Sequence, residues 1–342
     1  MVIVWYSLYL FIFIAYNNRC SIMIELQGVS KSFNNVAAVR EVNLKVAESE
    51  NLILLGTSGC GKTTTLKMIN RLIEPDSGSI IIDGKDITKE NQEILRRGIG
   101  YVMQNIGLFP HYTIQQNIAV VPKLLKWDKQ KTSRRIQELV EKLHLPENFL
   151  TKFPHELSGG QQQRVGLARA LVTDPPVLLM DEPFGALDNV TRASIQAEFK
   201  ALEELKRKTI VMVTHDVQEA FELGDRISLM DKGVIVQTGT PKELLYKPAN
   251  DFVRKFLDGQ RLALEFKVVT LQDVWEYLPK ENALLSEKSI SADTSVWSAL
   301  ELLKYENTKH LQALNLNGEL RTIDFNAVTG AFNNYQNSNS HE

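Results

Sequence analysis

The chain has few cysteines, no excess of charge of either sign and no apolar run long enough to span a membrane. Of 342 residues only two are cysteine, Cys20 and Cys60, and neither stands in a metal-ligand spacing. That disfavours a disulfide framework and a zinc site, and it points to a reducing compartment. Lys plus Arg number 39 and Asp plus Glu 41, a formal charge of −2. A near-neutral chain offers no electrostatic case for wrapping nucleic acid, so no nucleic-acid partner is expected. With 44% apolar and 23% charged residues, disordered and fibrous classes are excluded, and the length allows roughly two domains.

The longest apolar run is at the start. The sixteen residues Met1–Tyr16 would span about 24 Å as a helix, against roughly 30 Å of hydrocarbon. No Lys or Arg precedes the run, which removes the basic start of a secretory signal. Three readings remain for residues 1–22: a weak anchor, a signal, or codons upstream of a start at Met23. The third is favoured, because a compact pattern begins cleanly at Met23-Ile-Glu-Leu.

Beyond Met23, short apolar runs alternate with helical patterns. Leu52–Leu55, Val177–Met180 and Ile210–Val213 are too short for helices and apolar throughout, as in strands of a parallel sheet covered on both faces. Directly after the first of these comes Gly56-Thr57-Ser58-Gly59-Cys60-Gly61-Lys62-Thr63-Thr64, which fits G-x-x-x-x-G-K-[ST]. Its glycines let backbone N–H groups converge on an anion at a helix N-terminus. That helix is expected to carry Leu66, Ile69, Leu72 and Ile73 on one face. In this pattern Lys62 neutralises β- and γ-phosphates and the Thr63 hydroxyl holds Mg²⁺. The second strand ends in Asp181-Glu182-Pro183, placing two acids where open α/β sheets bind ligands: Asp181 for the metal, Glu182 to take a proton from attacking water.

Leu157-Ser158-Gly159-Gly160-Gln161 has two physical readings. Ser158 with Gln161 three residues later is a capping box opening a helix through Val165, Ala168 and Val172. The paired glycines also open that helix start to close approach by a phosphate. The pentapeptide is identical to the signature of ATP-binding-cassette (ABC) ATPases, and the chain resembles that family over about Met23–Asp258. Other positions match in the family's order. Gln104 resembles the glutamine-loop residue that contacts metal and water and senses the membrane partner. Asp188, in Ala186-Leu187-Asp188, is similar to the loop that communicates across the dimer. His215 matches the switch histidine, and Phe33 falls where the family stacks an aromatic on adenine.

The resemblance implies a P-loop α/β fold: a mostly parallel sheet flanked by helices, an antiparallel β subdomain and a helical subdomain at about 105–160. It implies ATP and Mg²⁺, and a head-to-tail homodimer in which Ser158–Gly160 of one copy completes the nucleotide site on the other. His215 then holds the γ-phosphate and orients the water. The inserted Ile106-Gly107 and the Val120-Val121-Pro122…Lys126-Trp127 stretch are similar to ATPases of osmoprotectant importers for glycine betaine, choline or carnitine. Transmembrane permease subunits and, indirectly, an extracytoplasmic solute-binding protein are the implied partners. The implied location is peripheral, at the cytoplasmic face of the inner membrane. An importer of another solute class is the second reading. A ribosome- or DNA-directed cassette is disfavoured by the single cassette and by the lack of heptads between Lys62 and Ser158.

After Asp258 the motifs stop. Ile290–Leu303 reads as an amphipathic helix with Val296, Ala299, Leu302 and Leu303 on its apolar stripe. Leu311–Leu316, a turn at Asn317-Gly318 and Leu320–Phe325 read as a hairpin. The order over 259–331 resembles one cystathionine-β-synthase-like (CBS) regulatory repeat, without the Val-Pro that usually opens it. Ligand sensing and a small dimerising appendage both fit. Residues 332–342, rich in Asn and Ser, are expected to be disordered.

Overall fold

The computed structural model describes residues 21–280, 289–305 and 309–339. Nearly all of the apolar N-terminal extension and the last three tail residues lie outside these described residues. The strands, in chain order, are β1 (Ile22–Phe33), β2 (Val36–Ala47), β3 (Asn51–Gly56), β4 (Ser77–Ile82), β5 (Lys85–Asp86), β6 (Ile99–Val102), β7 (Val177–Asp181), β8 (Thr209–Thr214), β9 (Arg226–Asp231), β10 (Val234–Gly239), β11 (Ser289–Ser291), β12 (Leu311–Leu314) and β13 (Leu320–Ile323). The described residues fall into two compact units. One runs to His215 and takes Met230–Ile235; the other takes Asp216–Leu229 and the chain from Val236. The expected boundary at Asp258 lies inside the second unit, at the end of the helix Asp251–Asp258.

In the first unit β3, β8, β7 and β6 lie side by side in that order, all parallel. Leu52, Leu178, Leu179, Val211 and Val213 are completely buried on these strands, as continuous apolar runs require when helices cover both faces. A second, antiparallel sheet runs β2-β1-β4-β5. Ile22, assigned above to the extension, is the first residue of β1 and pairs with Ala47. Between Gln104 and Ser158 the regular elements are helical, the longest being Lys129–Lys142, capped by the Asp128 carboxylate.

The helix after the glycine loop is shorter than its sequence pattern. It spans Lys62–Ile69 and closes at Asn70; Arg71 turns to φ +49°, which ends the helix and leaves Leu72 48% exposed. Arg71 in turn donates to the carbonyls of Ile87 and Glu90.

The second unit ends in a three-stranded sheet, β11-β12-β13, with β11 parallel and β13 antiparallel to β12. Two expectations are corrected here. Ile290 belongs to β11, and the helix begins only at Val296, where the Ser295 hydroxyl accepts the Ser298 amide. The tail is not disordered from Phe332. A helix runs Phe325–Asn339 with Val328, Ala331, Phe332 and Tyr335 buried, because these apolar residues recur at helical spacing beneath an Asn/Ser-rich surface. Phe332 stacks on Phe266 with ring centroids 4.2 Å apart.

Candidate active site

Four parallel strands deliver the chemistry to one edge. Past their C-terminal ends come the Gly56 loop from β3, His215 from β8, Asp181 and Glu182 from β7, and Gln104 from β6. The order β3-β8-β7-β6 places these groups next to one another, in the crevice where open α/β sheets bind ligands.

The loop after β3 is shaped for an anion. Gly61, the N-cap of the Lys62 helix, sits at φ 107°. A Cβ there would stand 2.5 Å from the Ala38 carbonyl oxygen, so only glycine fits. Thr57, Ser58 and Gly59 are exposed, Cys60 is buried, and Thr64 is half-buried on the helix. Lys62 is 5% exposed, and its ammonium curls back to donate to Gly56 O (2.8 Å) and Thr57 O (2.9 Å). The cation thus rests on carbonyls of the loop expected to cradle a phosphate.

Beside the loop, the Thr63 hydroxyl donates to Asp181 Oδ1 at 2.8 Å. Asp181 is 5% exposed; burial pushes its carboxyl up, and the Thr63 hydrogen bond opposes that shift. A hydroxyl against a carboxylate is an all-oxygen donor set, which suits a small hard cation such as Mg²⁺. Burial also raises the Tyr101 phenol, and the Asp181 charge adds to the effect.

Glu182 is the hub of a second cluster. Its backbone adopts φ +44°, a sparsely populated region that costs about 1–3 kcal/mol, and its amide donates to Val213 O at 3.0 Å. Oε1 lies 3.2 Å from His215 Nδ1, and Gln104 Nε2 donates to Oε2 at 3.0 Å. Gln104, expected to contact metal and water, thus stands hydrogen-bonded to the acid expected to take the water's proton.

The remaining expected residues lie on other elements. Ser158 caps the helix Gly159–Leu171 in a complete capping box: its hydroxyl accepts the Gln161 amide and Gln161 Oε1 accepts the Ser158 amide. Ser158 and Gly159 are exposed and Gly160 is buried. Asp188 caps the helix Asn189–Ala201 by accepting the Val190 and Thr191 amides. Hydrogen bonds from Thr191 hold its carboxyl below the usual range. Phe33 is 45% exposed, so its ring is available for stacking.

Sequence reasoning missed Arg169 and Asn117, which hold the loop after Gln104 in place. Asn117 is fully buried and bonds Phe109 N, Phe109 O, Tyr112 O and Thr113 O. A buried amide inside a helical pattern was its one available signal.

Comparison with known proteins agrees with this geometry. The family described as ABC transporter matches residues 39–185. The choline transport ATP-binding protein OpuBA of Bacillus subtilis is 48% identical over 86% of this chain and 76% of its own length. The osmoprotectant import ATP-binding protein OsmV of Salmonella typhimurium is 50% identical over 75% of this chain and 69% of its own. Among solved structures, the dimeric post-hydrolysis state of the ATP-binding cassette MJ0796 bound to ADP and Pi superposes with a TM-score of 0.58. It has 35% sequence identity over 64% of this chain and 98% of that one. The chain belongs to the ABC transporter family, as one of its ATP-binding proteins.

Proposed function

We propose that this chain is the ATP-hydrolysing, energy-coupling subunit of an importer for quaternary-amine osmoprotectants of the glycine betaine, choline and carnitine type. One observation carries the hydrolytic part: a single carboxylate, Glu182, meets Gln104 and His215 while its neighbour Asp181 meets Thr63 at the phosphate loop. The solute class is supported by the relatives named above, whose printed functions are choline transport and osmoprotectant import.

In this reading ATP lies along the loop, its adenine on Phe33. The backbone amides of Gly56–Thr64 cradle its phosphates, and Lys62 leaves its carbonyl partners to neutralise the β- and γ-phosphates. Thr63, Asp181 and Gln104 would hold Mg²⁺, which supplies positive charge at the phosphate oxygens. His215 holds the γ-phosphate and orients water, and Glu182 takes its proton. Ser158–Gly160 of a second copy, with its helix N-terminus exposed, closes on the γ-phosphate, and Asp188 faces the dimer. Hydrolysis removes the charge that holds the pair together, so ATP drives a two-state opening and closing.

The homodimer works with transmembrane permease subunits and, through them, a solute-binding protein outside the membrane. Among the described residues, no helix is long and apolar enough to cross a membrane. Peripheral attachment at the cytoplasmic face fits that observation.

The test is reconstitution with candidate permease and binding-protein partners, asking which solute stimulates ATP hydrolysis. Glycine betaine, choline or carnitine is the expected stimulus. Stimulation by a different solute class alone would overturn the substrate while leaving the ATPase intact.

A further inference from the structure

The loop after Gln104 carries a feature that hydrolysis leaves unused, the inserted pair Ile106–Gly107. Gly107 has φ +59°, and a Cβ there would stand 3.2 Å from Met103 Sδ and 3.3 Å from Asn105 O. The turn therefore depends on glycine. It aims two successive carbonyls at the helix Gly159–Leu171. Arg169 on that helix donates from Nη1 to Gly107 O at 2.7 Å and from Nη2 to Ile106 O at 2.8 Å. The Ile106 side chain rests on the same helix at Gly166, where an added Cβ would lie 3.0 Å from Ile106 Cγ2.

A planar guanidinium bonded to two carbonyls fixes direction as well as distance, and charge makes each bond stronger than a neutral one. The loop is thus tied at three points: Gln104 to Glu182, Ile106–Gly107 to Arg169, and Phe109–Thr113 to Asn117. Arg169 and Ser158 share one helix, about 16 Å apart along its axis. Displacing the loop at one end therefore displaces the serine-glycine tip at the other.

We propose that Arg169 and the Ile106–Gly107 turn form a latch through which the position of Gln104 beside Glu182 sets the aim of the Ser158–Gly160 tip at the nucleotide on a second copy. The proposal rests on the cassette reading above. Arg169 touches no reacting atom; it is a positioning residue.

The experiment uses the purified full chain carrying Glu182→Gln. It measures nucleotide binding with a fluorescent ATP analogue and ATP-dependent dimer assembly by light scattering. Adding Arg169→Gln should leave nucleotide affinity within about twofold and weaken assembly by about tenfold or more. Arg169→Lys keeps the charge but reaches one carbonyl at a time, so it should restore part of the assembly. Deleting Ile106 and Gly107 should weaken assembly to a similar degree, and combining the deletion with Arg169→Gln should add nothing further. Where Arg169→Gln is too unstable to purify, the lysine variant and the deletion make the same comparison.

Normal assembly by Arg169→Gln overturns the latch. So does an additive effect in the combined variant, or loss of nucleotide binding in proportion to assembly. If the Glu182→Gln parent itself does not assemble on ATP, the cassette reading falls and the latch falls with it.

Discussion

In the first unit, polar groups at the strand ends meet in the open. Gln104 is exposed, His215 has a 60% exposed side chain, and both contact the same carboxylate. In the second unit a comparable set is folded inward. Arg321, 5% exposed, stacks its guanidinium 4.7 Å from the Trp275 ring centroid. It donates to the carbonyls of Trp275 and Leu278, and to Glu319. The Trp275 indole also donates to Glu319, at 2.9 Å. An open cluster keeps its donors and acceptors within reach of a ligand, which is what chemistry needs. A closed one ties a loop to a sheet and adds specificity of fold. Polar residues therefore stand open to a ligand in one unit and brace the fold in the other.

The largest effect that could break this contrast is at Glu182. Replacing Glu182 with Gln keeps the shape and removes the proposed base, so turnover should fall by about 10²–10⁴-fold with ATP binding retained. Steady-state hydrolysis beside a nucleotide-binding titration checks this. Near-normal turnover would take Glu182 out of its role.

Next in size is the core of the second unit. Phe332→Ala removes a side chain that is 1% exposed, and such truncations cost about 3–5 kcal/mol. Thermal or denaturant unfolding should show that loss. The turnover of the folded fraction should stay unchanged, because no polar group of the open cluster is touched. An unfolding curve that does not move would mean that the helix Phe325–Asn339 is not packed on its unit in solution.

Arg321→Met is smaller and sharpens the same point. It takes a donor from both the Trp275 and Leu278 carbonyls; Trp275 O keeps the Leu278 amide, so the loss is about 1–3 kcal/mol for the Leu278 carbonyl left buried and unpaired. A fall in stability with hydrolysis intact is expected, read by the same two assays. A fall in kcat at unchanged stability would mean that the inward network reaches the catalytic edge.

Most of the candidate site was legible in the sequence because its motifs are local. Gly56–Thr63, Val177–Glu182 and Leu157–Gln161 each pair a strand or cap pattern with the polar residues it presents. Arg169 was not legible, since its meaning depends on carbonyls 62 and 63 positions away, and a backbone acceptor has no sequence signature. The last helix hid for a different reason. Its Asn- and Ser-rich composition masks a stripe at Val328, Ala331, Phe332 and Tyr335, so composition outweighed period. At Ile290 the error was one of continuity. The Ser/Thr-rich stretch from Ile290 looked like the start of the helix, while the Ser295 cap sets that start one residue later, at Val296.

The smallest effect separates charge from shape within the inward network. Glu319 accepts from Trp275 first, then Arg321 and Asn315, and these contacts hold its carboxyl below the usual glutamate value. A carboxyl depressed in the folded state adds stability that is complete above its unfolded pKa of about 4.3 and disappears as pH falls through the lower folded value. Glu319→Gln keeps the shape and an acceptor oxygen but not the charge. Its stability deficit relative to the native chain should be constant between neutral pH and about pH 5, then close progressively below about pH 4.3. Because the Glu319 side chain is 53% exposed, added salt should shrink the deficit at neutral pH as well. Urea unfolding across that range checks both trends. A deficit that persists unchanged into acid would assign Glu319 to packing and leave Arg321 held by its carbonyls and the indole alone.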